Sequence, residues 1–354
     1  MRVHVQEEDN MIKIGTIGSG FIVDGFISAV KNTEGMEINA VYSRTLERAR
    51  EFAEKHGVEK FYDSLEAMMS DEEINFIYVA SPNSLHYPQS LLALENGKNV
   101  ICEKPFVPTE EEARNLYDVA KEKGLFIFEA IMPVHLPNVN LIREKLPELG
   151  RIRIVQANFS QYSSRYDKLL AGQVTNAFDP AFAGGALGDI NIYNLHFTCW
   201  LFGFPKEVHY YPNLWENGID TSGILILQYE DFVAELVGCK DSTSESNVQI
   251  QGEKGYIKVN SQASLCMDFD LVIPKEKRKE SYSLQGSKDA AIASRSDFAS
   301  VLEKNPMEYE LEDFRDIYEA KDFKKCYDLL EYSCKVMGVY EEARKSGGVI
   351  FTNK

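Results

Sequence analysis

The sequence predicts an α/β chain, with a doubly wound, mainly parallel sheet first and an antiparallel, strand-rich region second. Three observations predict it. Between residues 12 and 129, short apolar runs alternate with helical patterns over short connections. A glycine turn, Gly18-Ser19-Gly20, stands between the first of these runs and the first helix. From residue 152 to residue 259, segments with period two follow one another over tight turns instead of helices.

Composition sets the limits. A chain of 354 residues favours about two domains. With 44% hydrophobic and 26% charged residues it can bury an ordinary core. A net charge of -17 argues against nucleic acid and anionic membranes as partners. No stretch reaches the roughly 18 uncharged apolar residues of a membrane span. Residues 1–10 carry Glu7, Glu8 and Asp9 and no apolar centre, unlike a secretory signal, and the folded part is expected to begin near Met11. The six cysteines are scattered with no Cys-x-x-Cys, which suits reduced thiols in a cytoplasmic protein. The six histidines show no i, i+4 pairing, so no metal is expected.

The first strand is β-branched and covers residues 12–17. Gly18 permits the tight turn that follows it. Gly20 lets the backbone approach a pyrophosphate, which sits on the N-terminus of the helix that starts at Phe21 and Ile22. Val23 stands where a third glycine or alanine is usual, so this helix sits further from the strand. The second strand, residues 37–42, ends in Ser43-Arg44, where an NAD-selective site usually places an acid for the ribose 2′-hydroxyl. With no acid there, Ser43 and the fork of Arg44 and Arg48 suit a 2′-phosphate, which favours NADP over the alternative NAD. The same arginines also read as a solvated helix N-terminus.

A helix is expected over 46–56, a short strand at 61–62, a helix at 65–69 and a buried strand over 76–80. That strand ends in Ser81-Pro82-Asn83, facing the same crevice, with Asn83 a candidate hydrogen-bonder to the cofactor. His86, in the first turn of the next helix (84–95), is either a packing group or a ligand. The run Val100-Ile101-Cys102 continues into Glu103-Lys104-Pro105. Pro105 has no amide hydrogen and stops the ladder, so Glu103 and Lys104 emerge at the carboxyl end of a strand, where α/β sheets bind ligands. Thr109 caps a helix rich in acids at its start and running to about residue 122, and a sixth strand covers 125–129.

The pattern changes near residue 134. A helix over 137–146 precedes strands expected at 152–159, 207–211, 223–229, 232–239, 247–251 and 256–259, with hairpin turns at 229–232 and 252–255. Mostly helical sequence is expected over 289–344. The domains are therefore drawn as 11–134 and 135–354. Within the second, Gly184-Gly185-Ala186-Leu187 leads to Asp189, Tyr193 and His196, which share one face of a helix at i, i+4 and i+7. Three titratable groups beside a glycine turn point to chemistry, although a buried helix whose tyrosine and histidine satisfy the backbone gives the same spacing.

Taken together, Gly18-Ser19-Gly20, Glu103-Lys104-Pro105 and Gly184-Gly185-Ala186-Leu187-x-Asp189-x-x-x-Tyr193 resemble the Gfo/Idh/MocA family of nicotinamide-dependent oxidoreductases, over nearly the whole chain from Met11. The resemblance implies a Rossmann domain followed by an α/β domain whose open, mainly antiparallel sheet carries the substrate pocket and an oligomer interface, with C-terminal helices packing back on the first domain. It places the catalytic lysine at Lys104 and the acid of the second motif at Asp189. Tyr193 stands where the inositol dehydrogenase branch often has histidine. A tyrosine there is similar to the dimeric dihydrodiol dehydrogenase and glucose–fructose oxidoreductase branch, in which it is the proposed proton donor. Two positions depart from the pattern: Asn191 replaces a frequent glycine and Val134 a frequent arginine. Arg165, in Ser163-Ser164-Arg165-Tyr166-Asp167, is a candidate replacement cation for the substrate.

The activity this implies is hydride transfer between NADP (alternatively NAD) and a sugar, polyol or cyclic diol. Lys104 and Tyr193 would serve in proton transfer, with Asp189 orienting Lys104 and His196 beside the substrate. Lys104 next to Tyr193 is expected to bring the phenol closer to neutral pH. The alternative is a cofactor-binding regulator of the Gal80 type with no turnover. The expected partners are a carbohydrate-like small molecule and further copies of the chain, as a homodimer or homotetramer, because an exposed antiparallel sheet tends to bury one face.

Overall fold

A computed structural model describes residues 11–274, 292–298 and 303–352. The chain opens with β1 (Ile12–Ile17), α1 (Phe21–Asn32), β2 (Met36–Tyr42), α2 (Leu46–His56), β3 (Lys60–Tyr62), α3 (Leu65–Met69), β4 (Phe76–Val79), α4 (His86–Glu95), β5 (Asn99–Glu103), α5 (Glu110–Lys123) and β6 (Ile127–Ala130). These strands form one parallel sheet in the order β3-β2-β1-β4-β5-β6, a doubly wound arrangement. β4, β5 and β6 are buried along their whole length, as strands covered on both faces must be. Polar side chains end the helices as the sequence suggests. Thr45 and Thr109 cap α2 and α5 at their first turns, and Gly57 and Gly124 close them in the left-handed conformation.

Beyond this sheet come α6 (Pro137–Lys145), β7 (Ile152–Ser160), α7 (Ser164–Leu170), a π-helical turn (Leu187–Asn191) and α8 (Ile192–Phe202). β8 (Glu207–Leu214), β9 (Asp220–Gln228), β10 (Val233–Cys239), β11 (Asn247–Gly252), β12 (Tyr256–Val259), β13 (Phe269–Pro274) and β14 (Ile292–Phe298) follow. The eight strands of the second sheet run β14-β13-β12-β11-β7-β10-β9-β8, antiparallel except that β7 and β10 are parallel neighbours. The turns at 229–232 and 252–255 close as hairpins, through Tyr229 N–H to the Phe232 carbonyl and Gly252 N–H to the Gly255 carbonyl.

The last helices, α9 (Pro306–Glu319) and α10 (Phe323–Ser346), lie on the first sheet. Phe314 of α9 stacks on Phe128 of β6 at 4.5 Å, and Cys326 of α10 is buried against the Ile127 carbonyl. Residues 164–170, which carry Arg165, form the helix α7, started by the Ser163 side chain. Two expectations need correction. Residues 292–298 are a strand rather than helix, because they pair with β13. Residues 187–191 form a π turn, so the helix that carries Tyr193 begins only at Ile192.

Candidate active site

The glycine turn comes first in the chain. Gly18 has φ +123°, and a Cβ there would lie 2.7 Å from the Ala80 carbonyl at the end of β4, so only glycine lets β1 pass so close to β4. A Cβ on Gly20 would meet nothing within 4 Å, and Gly20 caps α1 with no side-chain hydrogen bond. The first turn of α1 is thus open above and carries no side-chain cap, which fits a pyrophosphate on its amides. Phe21, the first residue of α1, is 88% exposed at this mouth, while Ile22 leans on the core below. The buried Val23 fills the place of the third motif glycine.

At the end of β2 the structure gathers the residues read as a phosphate fork. Ser43 is buried with its amide on the Tyr62 carbonyl. Arg48 Nη2 reaches Ser19 Oγ of the glycine turn at 3.5 Å, and Arg44 stands exposed at the entry to α2. Arg44 and Arg48 place positive charge beside the glycine turn.

The β4 turn behaves differently. His86 is buried, with one ring nitrogen 3.0 Å from the Pro105 carbonyl and the other 2.9 Å from the Ser81 carbonyl. Burial holds its pKa below the ordinary value, and the neutral ring has one N–H to donate to either carbonyl. Both ring nitrogens thus face the main chain, and His86 bridges the Ser81-Pro82 turn and the Glu103-Lys104-Pro105 turn. The Asn83 amide donates to the Ala183 carbonyl at 2.8 Å, spanning from this turn to the glycine loop of the second sheet's region. Glu103 does not face the crevice either. It accepts a 2.6 Å hydrogen bond from Tyr78 and is buried, and burial raises its pKa while the Lys104 charge opposes that.

Lys104 is the side chain that leaves this sheet for the other. Its Nζ donates to the Asp189 main-chain carbonyl at 2.8 Å and to Asp189 Oδ1 at 3.0 Å. It also lies 5.0 Å from the centre of the Tyr193 ring. Asp189 sits in the π turn, whose position is set from below. Asp220 of β9 accepts from the Leu187 amide at 2.6 Å and from the Tyr210 hydroxyl at 2.8 Å. Gly185, at φ +106°, passes so close that a Cβ would fall 2.0 Å from Asp220 Oδ1. Asn191 donates to the Leu236 carbonyl and accepts from Asn194, which itself donates to the Val237 carbonyl. These amides peg the turn to β10, which accounts for asparagine where the family pattern has glycine.

The π turn also breaks the single face expected for Asp189, Tyr193 and His196. Asp189 and Tyr193 converge on Lys104. His196 is fully buried instead, 3.4 Å from Glu129 Oε1 without a hydrogen bond and edge-on to Tyr332 at 5.6 Å. It cannot reach a substrate. Val134, where an arginine was the family pattern, is buried too. Arg165 is exposed in the first turn of α7, near enough for its charge to act on Lys240.

Lys240 was missed by sequence reasoning. It follows β10, is buried, and its ammonium contacts Asp189 Oδ2. The only signal was a lysine directly after an alternating strand, which more often marks a solvated strand end.

The expectation for Tyr193 is reversed. Burial raises its pKa above 10 and outweighs the Lys104 charge that lowers it, while Glu103 and Glu310 push it further up. Tyr193 therefore keeps its phenolic proton at neutral pH.

Comparison with known proteins identifies the family. Residues 12–130 match the family model described as an oxidoreductase family with an NAD-binding Rossmann fold, and residues 142–258 match the Gfo/Idh/MocA C-terminal domain. The chain is 33% identical over 341 residues to scyllo-inositol 2-dehydrogenase (NADP(+)) IolU of Bacillus subtilis, covering 96% of this chain and 98% of that one. It is 30% identical to trans-1,2-dihydrobenzene-1,2-diol dehydrogenase of Oryctolagus cuniculus, covering 95% and 98%. In structure it resembles the 3-ketoreductase KijD10 of Actinomadura kijaniata, solved with NADP and TDP-benzene, at a TM-score of 0.80 and 21% identity over 95% of this chain and 98% of that one. The chain belongs to the Gfo/Idh/MocA family and is a nicotinamide-dependent oxidoreductase with a Rossmann domain and a second, mixed-sheet domain.

Proposed function

We propose that this protein is an NADP-dependent dehydrogenase that interconverts a CH–OH group and a carbonyl on a sugar, polyol or cyclic diol. The observation that carries the proposal is the meeting of Lys104, Asp189 and Tyr193 at the carboxyl end of β5. Gly18, Gly20, Phe21 and Ile22 would hold the pyrophosphate, and Ser43, Arg44 and Arg48 the 2′-phosphate. Ser81 and Pro82 would form the wall of the crevice. Lys104 at the end of β5 and Asp189 in the turn pegged to β10 would form the two sides of this crevice.

The bound nicotinamide supplies the hydride donor or acceptor. Tyr193 gives the proton to the carbonyl oxygen during reduction and takes it back during oxidation. Lys104 places a positive charge beside that oxygen and stabilises the charge that develops on it. Asp189 keeps Lys104 pointed into the crevice. Arg165 lies at the rim, where a substrate hydroxyl or acid group can meet it. No observation favours a Gal80-type regulator over this reading.

The outer face of the second sheet exposes Tyr211, Ile224 and Ile154. We take this face as the contact between copies in a homodimer or homotetramer. All six cysteines are free thiols, which fits a cytoplasmic enzyme.

The test is reduction of NADP with a panel of scyllo-inositol, aldoses and trans-dihydrodiols, in wild type and Tyr193→Phe. The substitution should cut turnover by about 100- to 10,000-fold and leave NADPH binding unchanged. Turnover near wild type in Tyr193→Phe moves the proton role to another residue.

A further inference from the structure

Two ammonium groups share one carboxylate in this centre. Lys104 reaches Asp189 Oδ1 from the first sheet, and Lys240 contacts Oδ2 from the end of β10. Asp189 is fairly open, with 39% of its side chain exposed, whereas the Lys240 side chain is only 5% exposed. A carboxylate in an open crevice has free rotation about its Cβ–Cγ bond unless both oxygens are held. Lys240 holds the second oxygen from a position that solvent does not reach.

Lys240 is itself fixed on all sides. Its backbone N–H donates to the Thr221 carbonyl at 2.9 Å, and its carbonyl accepts from the Ser163 amide at 2.9 Å. Its ammonium lies 5.3 Å from the centre of the Phe178 ring, a favourable site for a desolvated cation. The neighbouring Asp241 is turned to the hydroxyls of Thr221 and Ser222 and leaves Lys240 to Asp189. A buried lysine with one carboxylate and no solvent is costly to keep, so a sequence that keeps it points to a task.

We propose that Lys240 is a positioning residue of the active centre: by holding Asp189 Oδ2 it turns the carboxylate so that Oδ1 and the Asp189 carbonyl both face Lys104. This rests on the proposed role of Asp189 as the group that aims Lys104. The charged groups that face Lys240 are Asp189, Lys104 and Arg165. Burial, then the charges of Lys104 and Arg165, push the Lys240 amine down from its usual range, and the Asp189 carboxylate in contact with it acts the other way.

The test uses the full chain. The readout is NADP reduction with whichever panel substrate the wild type accepts. A kcat that ignores Lys240→Met overturns the proposal. Lys240→Met should lower kcat about 10- to 100-fold with NADPH affinity unchanged. The double variant Lys240→Met/Asp189→Asn should be no worse than Asp189→Asn alone, because both substitutions remove one device. Losses that multiply show that Lys240 acts apart from Asp189 and also overturn it. The comparison sets Lys240 against Asp189 alone and does not involve Tyr193, so it can fail while Tyr193→Phe bears out the proton role, and the two ideas fail separately.

Discussion

Lys104 and Asp189, 85 positions apart in the chain, meet through two hydrogen bonds: Lys104 Nζ lies 2.8 Å from the Asp189 carbonyl and 3.0 Å from its Oδ1. One partner ends a strand of the parallel sheet, and the other sits in a turn pegged to the second sheet. The active centre therefore exists only when both sheets are in place.

The protonation state of Tyr193 gives a first prediction. Burial lifts its phenol above the ordinary value near 10, so it stays protonated through neutral pH. The rate of carbonyl reduction should show no loss attributable to Tyr193 between pH 7 and about 10. A pH–rate profile in single turnover checks this, and a break near pH 7 that disappears in Tyr193→Phe contradicts it.

Cofactor choice gives a second. Arg44 stands exposed at the entry to α2, and Arg48 reaches back to Ser19. Arg44→Ala should weaken NADP binding by about 10-fold or more and leave NAD binding within two-fold, since a charge-assisted contact to phosphate contributes roughly 1.5–3 kcal/mol. Calorimetry with both nucleotides measures the change.

Glu310 gives a third, on stability. Its carboxyl is buried near Glu103 and Glu129, and burial followed by those two charges raises its pKa well above the usual range. The folded protein thus holds a proton that the unfolded chain releases above about pH 4.5. This contribution is fully present at low pH and is lost as pH rises toward the folded-state pKa. Glu310→Gln keeps the shape and removes the ionisation. It should flatten the fall of stability that begins above about pH 4.5, by up to about 1.4 kcal/mol per pH unit, read from urea unfolding at several pH values.

Much of this architecture was legible in the sequence. Ile12, Ile14 and Ile17 mark a strand by β-branching, and Gly18 marks the turn because only glycine passes Ala80 there. Lys104 was legible because Pro105 ends the ladder. What stayed hidden depends on tertiary contacts. Asp189 and His196 share a face in an ideal α-helix, but the π turn held by Asp220 and Asn191 shifts Asp189 relative to the helix beyond it. His86 reads as either a packing group or a ligand until both its ring nitrogens are seen facing main-chain carbonyls. Lys240 carries no local signature, since its burial is made by Phe178 and Asp189 from distant parts of the chain. Burial also decided the direction for Tyr193, where the neighbouring charge alone pointed the other way.

The measurement that tests the account most directly is turnover and NADPH affinity of Lys104→Met. The methionine keeps the unbranched shape and most of the length of the side chain and removes its charge and its hydrogen bonds to Asp189. The account predicts that turnover falls by about 1,000-fold or more while the dissociation constant for NADPH changes by less than about three-fold. A Lys104→Met enzyme that turns over within ten-fold of wild type would contradict the placement of the reacting oxygen beside Lys104, Asp189 and Tyr193.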